Sequence, residues 1–176
     1  QLIDLGSRIR SVRLQTLNPM RVDFREFYKR FSPDVETAEL KYVGSKEKDV
    51  SQINQILREK LNLISTKELM VGYTLVGPQR DDVLFELNGF SADEYASEGQ
   101  LKTALIAWKL AECRFIERVC GKQPIVLLDD AFSELDERRS RLLLDSLFEF
   151  EQVIATTPNQ HIMKELDVFE KIRIGE

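Results

Sequence analysis

Two continuous apolar runs of strand length, "PIVLL" at 124–128 and "QVIATT" at 152–157, flank one helical segment, "DERRSRLLLDSLFEF" at 136–150. Runs of this kind lack the in/out alternation of a half-exposed strand, so both faces are expected to be covered. A strand–helix–strand unit of a parallel sheet meets that demand. In open α/β sheets, ligands sit beyond the carboxyl ends of the strands. The first run ends directly in Asp129 and Asp130.

Adjacent carboxylates in a partly buried setting repel and raise one another's pKa unless a cation is near. Magnesium carried on a nucleoside triphosphate is the natural one, because it takes one or two carboxylates and completes its shell with water and phosphate oxygens. The plain alternative is that one of the two caps the following helix. Two further stretches bear on the choice. "ASEGQ", Ala96 to Gln100, heads a long helix and offers a hydroxyl, free backbone N–H groups and the positive end of a helix dipole, a setting that suits a phosphate. "SELD", Ser133 to Asp136, follows the carboxylate pair at once. Taken singly, each also reads as an ordinary helix start.

The chain has 176 residues, 43% of them apolar, enough for one domain or two small ones with a real core. Its 25 basic residues against 30 acids give a net charge of −5, so any nucleic-acid contact is expected from a local patch. The basic run Arg8, Arg10 and Arg13, together with Arg80, is the candidate patch, with a solvated helix face as its plain alternative. Cys113 and Cys120 fall on one helix, too far apart to bridge, which fits a reducing compartment. With one histidine, His161, and no cysteine cluster, zinc and histidine-based nucleophilic chemistry have little material. No apolar run reaches membrane-spanning length, and a cytoplasmic location is expected.

Residues 1–73 read as mostly helical. A first helix is expected to end before Pro19, and a second, "VDFREFYKRFSP", carries Phe24, Phe27, Tyr28 and Phe31 as local core. "TAELKYVG" alternates like a strand. "SKEKDVSQINQILREKLNLI" is a helix with Ser45 as its cap, and a separate short helix is expected at 66–70. From residue 74 to 176 the pattern becomes α/β. "YTLVGP" and "DVLFEL" look like antiparallel neighbours, and "NGF" like a turn. A long helix follows with Leu101, Leu105, Trp108, Ala111, Phe115 and Val119 along one stripe, ended by Gly121. After 157 a helix and a last strand are expected. The chain begins without methionine and already in helical register, which suggests a piece of a longer protein.

"GPQRDDVLFELNG", "ASEGQLKTALIAWKLAE", "PIVLLDDAFSELDERR" and "QVIATT" occur in this order, and together they resemble the RecF family, whose pattern reads GPHRDD, SxGQ, LLDD-x-x-SELD and QVxxTT. More broadly, they look like the signature, Walker B strand and D-loop of ABC-type ATPases. The likeness is strong over about 71–157 and looser before. It implies an α/β fold: the C-terminal lobe of an ABC-type ATPase head, with a parallel-sheet βαβ core, over 74–176, and a mostly helical arm-like domain over 1–73.

By the same resemblance, Asp129 holds magnesium through water and Asp130 polarises the attacking water. Ser97, Gly99 and Gln100 reach the γ-phosphate of ATP bound by another subunit. Ser133 and Asp136 form the D-loop, and Thr156 takes the switch position. Arg80, Asp81 and Asp82 match the GPHRDD motif, but Gln79 replaces its histidine. Expected cofactors are ATP and Mg2+, and expected partners are duplex or junction DNA, RecR and a second copy of the chain when ATP is bound. The implied role lies in DNA replication, recombinational repair and the SOS response. No GxxxxGK[ST] loop is present, so the chain is expected to hold half of a shared nucleotide site. Rival readings are the head of another SMC or Rad50 relative, or an interaction module that uses an ATPase-like lobe without nucleotide.

Overall fold

The structure is a computed structural model and describes residues 1–32, 36–44, 49–133, 135–158 and 170–172. In chain order it runs α1 (Leu2–Phe31), β1 (Ala38–Val43), α2 (Val50–Val71), a 3₁₀ turn (Pro78–Arg80), β2 (Asp82–Leu87) and β3 (Phe90–Ser91). There follow the single turn α3 (Ala92–Tyr95), α4 (Glu98–Cys120), β4 (Val126–Leu128), α5 (Glu137–Leu147) and β5 (Val153–Ala155). The expected strand–helix–strand unit is present: β4 and β5 pair in parallel, Val126 opposite Val153 and Leu128 opposite Ala155, with α5 between them in sequence. The expectations for 159–169, including His161, lie outside the described residues.

The helical half departs from expectation in two ways. Pro19 sits inside α1 without ending it. An interior proline costs on the order of 3 kcal/mol, and burial outweighs that here. Leu14, Leu17, Met20, Phe24, Phe27, Tyr28 and Phe31 recur at helical spacing and are all buried, each large apolar side chain contributing about 1.5–3 kcal/mol. Likewise, the short helix expected at 66–70 is the continuation of α2, which is capped by Asp49 rather than Ser45. The Asp49 carboxylate accepts the amides of Ser51 and Gln52.

"YTLVGP" is not a strand. Its amides are used elsewhere: Leu75 N donates to Glu68 Oε1 at 2.6 Å, and Val76 N to the same oxygen at 3.3 Å. Gly77 then takes a φ of 144° ahead of Pro78. The true partner of β2 is β1, antiparallel from Ala38–Leu87 to Val43–Asp82. Asn88 (φ 51°) and Gly89 (φ 83°) make the expected turn into β3.

The main core gathers Phe24, Phe27, Tyr28 and Phe31 of α1, Leu40 of β1, Leu87 of β2, Ala104, Ala107, Leu110 and Ala111 of α4, and Leu143, Leu144 and Leu147 of α5. The packing therefore has no break at residue 73. α1 lies chiefly along α4. The buried strip of α4 is Thr103, Ala104, Ile106, Ala107, Leu110 and Ala111, while Leu105 and Val119 of the expected stripe are 52% and 67% exposed. Alanines allow α1 close, and their weak hydrophobic signal hid this face. Nor is the small sheet covered on both sides: Val126 and Leu128 are buried, but Leu127 is 70% exposed. Among the described residues, no helix is long and apolar enough to cross a membrane.

Candidate nucleotide site

The acid end is built by the parallel ladder. Thr156 follows β5, and its amide donates to the Leu128 carbonyl at 2.8 Å, continuing the β4–β5 pairing. That places the Thr156 hydroxyl between the two acids. Oγ1 donates to Asp129 Oδ1 at 2.5 Å and accepts the amide of Asp130 at 3.1 Å. Asp129 is exposed and Asp130 half-buried. Asp130 has a φ of 45°, a left-handed conformation that is strained for an aspartate. Its Oδ1 is buried with no hydrogen-bond partner among the described residues. Beyond it, Ser133 Oγ donates to the Asp130 carbonyl at 3.2 Å. Asp136 caps α5 by accepting the Arg139 amide at 2.8 Å, as expected.

The signature end is a capping box. Ser97 Oγ accepts the Gln100 amide at 3.3 Å, and Gln100 Oε1 accepts the Ser97 amide at 2.8 Å. Gly99 carries no side chain over the first turn, and its carbonyl accepts Thr103 Oγ1 at 2.6 Å. Gln100 is oriented in turn by Glu36. Its Nε2 donates to Glu36 Oε1 at 2.6 Å, while Tyr28 Oη and Ser32 Oγ donate to Glu36 Oε2 at 2.9 and 2.8 Å. Burial opposes the Glu36 charge, but the bonds from Ser32, Tyr28 and Gln100, with Arg139 nearby, outweigh it and hold the carboxyl below the usual range. Burial, then the bond to Glu36, pushes the Tyr28 phenol well up. Gln100 is thereby held with its oxygen toward Ser97. Ser97 is exposed.

The "GPQRDD" turn serves a different purpose. The Asp81 side chain is only 2% exposed. It accepts Arg10 Nε at 2.8 Å and Arg10 Nη2 at 2.6 Å, and the Tyr42 hydroxyl as well. Burial, then the bond to Asp81, pushes the Tyr42 phenol up to about 12. Gly44 closes over this cluster, where a Cβ would fall 2.7 Å from Asp81 Cγ. Arg10 is thus removed from the expected DNA patch: its side chain is 5% exposed and already paired. Arg8 is exposed, and Arg13 is 43% exposed, with Nη1 on the Pro78 carbonyl at 2.5 Å. Arg80 is exposed, bonded to the Thr74 carbonyl at 3.1–3.2 Å and stacked 5.3 Å from the Tyr73 ring centre. Gln79, which stands where the motif has histidine, donates to Thr74 Oγ1 at 2.9 Å.

The structure therefore brings Asp129, Asp130, Ser133 and Thr156 into one cluster and ties α4, the helix that Ser97 caps, to it. The link is Lys102, whose Nζ donates to the Asp130 carbonyl at 3.0 Å and to Ser133 Oγ at 2.6 Å. Neither Lys102 nor Glu36 stands out in the sequence, because each acts across a long loop and belongs to no short spacing.

Magnesium and ATP are the groups the resemblance implies, and the carboxylates fit the metal. Hard carboxylate oxygens stand at the carboxyl end of a parallel strand, and one of them is buried and unpartnered, a condition that a cation or its bound water relieves. No family model matches the chain. It is 34% identical over 172 residues to the DNA replication and repair protein RecF of Halothermothrix orenii, covering 95% of this chain and 46% of that protein. The same protein of Bacillus velezensis is 37% identical over 161 residues, covering 89% and 44%. The chain thus spans a little under half the length of the curated relatives it matches. A solved structure of the recombination mediator RecF with ATP superposes with a TM-score of 0.76 at 33% identity, over 90% of this chain and 43% of that one. An SMC ATPase structure, at 17% identity and a TM-score of 0.55 over 89% of this chain and 77% of that one, shares the fold.

Proposed function

The chain belongs to the RecF family, and on that footing we propose that it carries the signature, metal-holding and D-loop elements of an ATP-dependent DNA-binding protein of recombinational repair and replication. Asp129 would hold a magnesium ion, and Asp130 would orient the attacking water and accept its proton. Bound magnesium supplies neutralisation of the phosphate charge. Ser97, Gly99 and Gln100 receive the γ-phosphate held by a second copy, using the Ser97 hydroxyl and the first-turn amides at the positive end of α4. Ser133 and Asp136 lie along the shared interface, and Thr156 reports on both acids through its one hydroxyl.

The observation that carries this reading is the Thr156 bridge: one hydroxyl holds the Asp129 carboxylate and the Asp130 amide, yet Asp130 keeps a buried oxygen unused among the described residues. A lobe serving only as an interaction scaffold has no need of that oxygen. In the whole protein, ATP closes two heads on duplex DNA or junctions, with Arg8, Arg13 and Arg80 as DNA contacts and RecR as protein partner. The setting is the cytoplasm, in gap repair and the SOS response.

The test uses the full-length protein. Sedimentation on duplex DNA is expected to show a dimer that needs magnesium and ATP. Asp130→Asn is expected to keep that dimer while lowering hydrolysis about a hundredfold. Hydrolysis at the wild-type rate would remove Asp130 from its role, and a protein that never dimerises with ATP would remove the reading as a whole.

A further inference from the structure

We infer that Lys102 is a positioning residue: it pins the peptide that follows Asp130 and thereby ties the signature helix to the catalytic carboxylate. The inference rests on the nucleotide reading above for its functional consequence, but its geometry stands independently.

Asp130 occupies a conformation with φ 45°. A non-glycine residue persists there only where its surroundings hold it. Two elements provide the hold, one on each side of the residue. On the amide side, Asp130 N donates to Thr156 Oγ1 at 3.1 Å, which anchors it to the end of β5. On the carbonyl side, the oxygen accepts Lys102 Nζ at 3.0 Å and Ser133 Oγ at 3.2 Å, which anchors it to α4. The donors and acceptors of this triangle balance. Lys102 has three N–H donors and gives one to Ser133 Oγ at 2.6 Å, and Ser133 passes its own hydroxyl proton to the Asp130 carbonyl.

With the peptides on both sides fixed, the Cα–Cβ direction of Asp130 is fixed too, which limits where its carboxylate can reach. Removing Lys102 leaves the carbonyl side to Ser133 alone, whose backbone amide reaches it only at 3.4 Å. The placement of Lys102 matters as much as its charge. It lies in the second turn of the helix that Ser97 caps, and a helix transmits displacement along its axis with little loss. Movement of Ser97 when a second copy's phosphate arrives is therefore delivered to the Asp130 carbonyl through the lysine.

The experiment compares wild type, Lys102→Met and Lys102→Arg in the full-length protein. Lys102→Met is expected to lower kcat for ATP about tenfold with KM within about twofold, since the loss lies in orientation rather than in binding. Hydrogen exchange over 130–135, measured without nucleotide, is expected to speed up severalfold in Lys102→Met. Lys102→Arg, which restores a cationic donor, is expected to recover most of both. Unchanged exchange at 130–135 in Lys102→Met would overturn the inference. So would equal kcat losses in both variants accompanied by equal drops in thermal midpoint, the pattern of a generic packing role. If the wild type itself hydrolyses no ATP, the nucleotide reading fails, and the exchange comparison alone decides whether Lys102 holds the loop.

Discussion

The chain contains two Asp–Asp pairs that look alike in sequence, and the fold treats them in opposite ways. Asp81, in "GPQRDD", is buried, with two bonds from one guanidinium and a third from a phenol. Its partner Asp82 is exposed and starts β2. Asp129 and Asp130, in "LLDD", sit at the mouth of the parallel sheet with no ion pair to either carboxylate among the described residues. A threonine hydroxyl holds the Asp129 carboxylate and the Asp130 amide instead, and one Asp130 oxygen stays unused among those residues. The first pair has its counter-charge built in and stabilises the fold. The second lacks one among the described residues, and on the proposed reading its counter-charge is a cation that arrives with a ligand.

Breaking the first pair has the largest expected effect. Arg10→Ala leaves the buried Asp81 carboxylate with only the Tyr42 hydroxyl and the more distant Arg13, 3.8 Å away, and urea unfolding is expected to show a loss of about 3 kcal/mol. Replacing both partners with apolar residues, Arg10→Met with Asp81→Leu, is expected to cost far less, since no charge is then stranded. The second pair responds with the opposite sign. Asp130→Gly removes a side chain from left-handed backbone and is expected to raise stability by about 0.5–1 kcal/mol while abolishing hydrolysis. Destabilisation by that change would show that the carboxylate belongs to the fold after all.

Glu36 lies between these extremes. Its folded carboxyl is held below the ordinary value, so its contribution is complete above about pH 4.3 and is lost as pH falls through the folded value. Glu36→Gln is expected to cost about 1 kcal/mol at neutral pH, with the difference from wild type shrinking toward pH 3 in acid-unfolding curves. The smallest effect belongs to Arg80→Ala. It is exposed, bonded to a carbonyl and stacked on an exposed Tyr73 ring, so stability is expected to change by about 0.5 kcal/mol. The salt dependence of DNA binding is expected to fall by about one counter-ion.

What the sequence made legible was local. The caps Ser97 and Asp136, the turn at Asn88–Gly89, β4 and β5 as strands, though not their burial on both faces, and the aromatic spacing of α1 all read correctly, because each is set by neighbours within a few residues. The misreadings concern partners far along the chain. "YTLVGP" was matched to β2 by proximity, whereas β1, some forty residues earlier, supplies the pairing. Arg10 reads as surface because its carboxylate lies 71 positions away. Pro19 reads as a break because local propensity contains no information about the alanine face of α4 that α1 packs against. At the site, the acids and the signature were legible as motifs. Glu36 and Lys102, which aim them, were not.

α1 runs unbroken through 30 residues, a rod of roughly 45 Å at 1.5 Å per residue. It is gripped near one end by the Arg10–Asp81 clamp and near the other by the aromatic block of Phe24, Phe27, Tyr28 and Phe31. A rod held at two separated points cannot pivot without loosening one of its grips. Torque applied near Arg8 is therefore felt at Tyr28, one hydrogen bond from Glu36 and two from Gln100, and the inclination of α1 against α4 is an angle that a pair of spin labels can read.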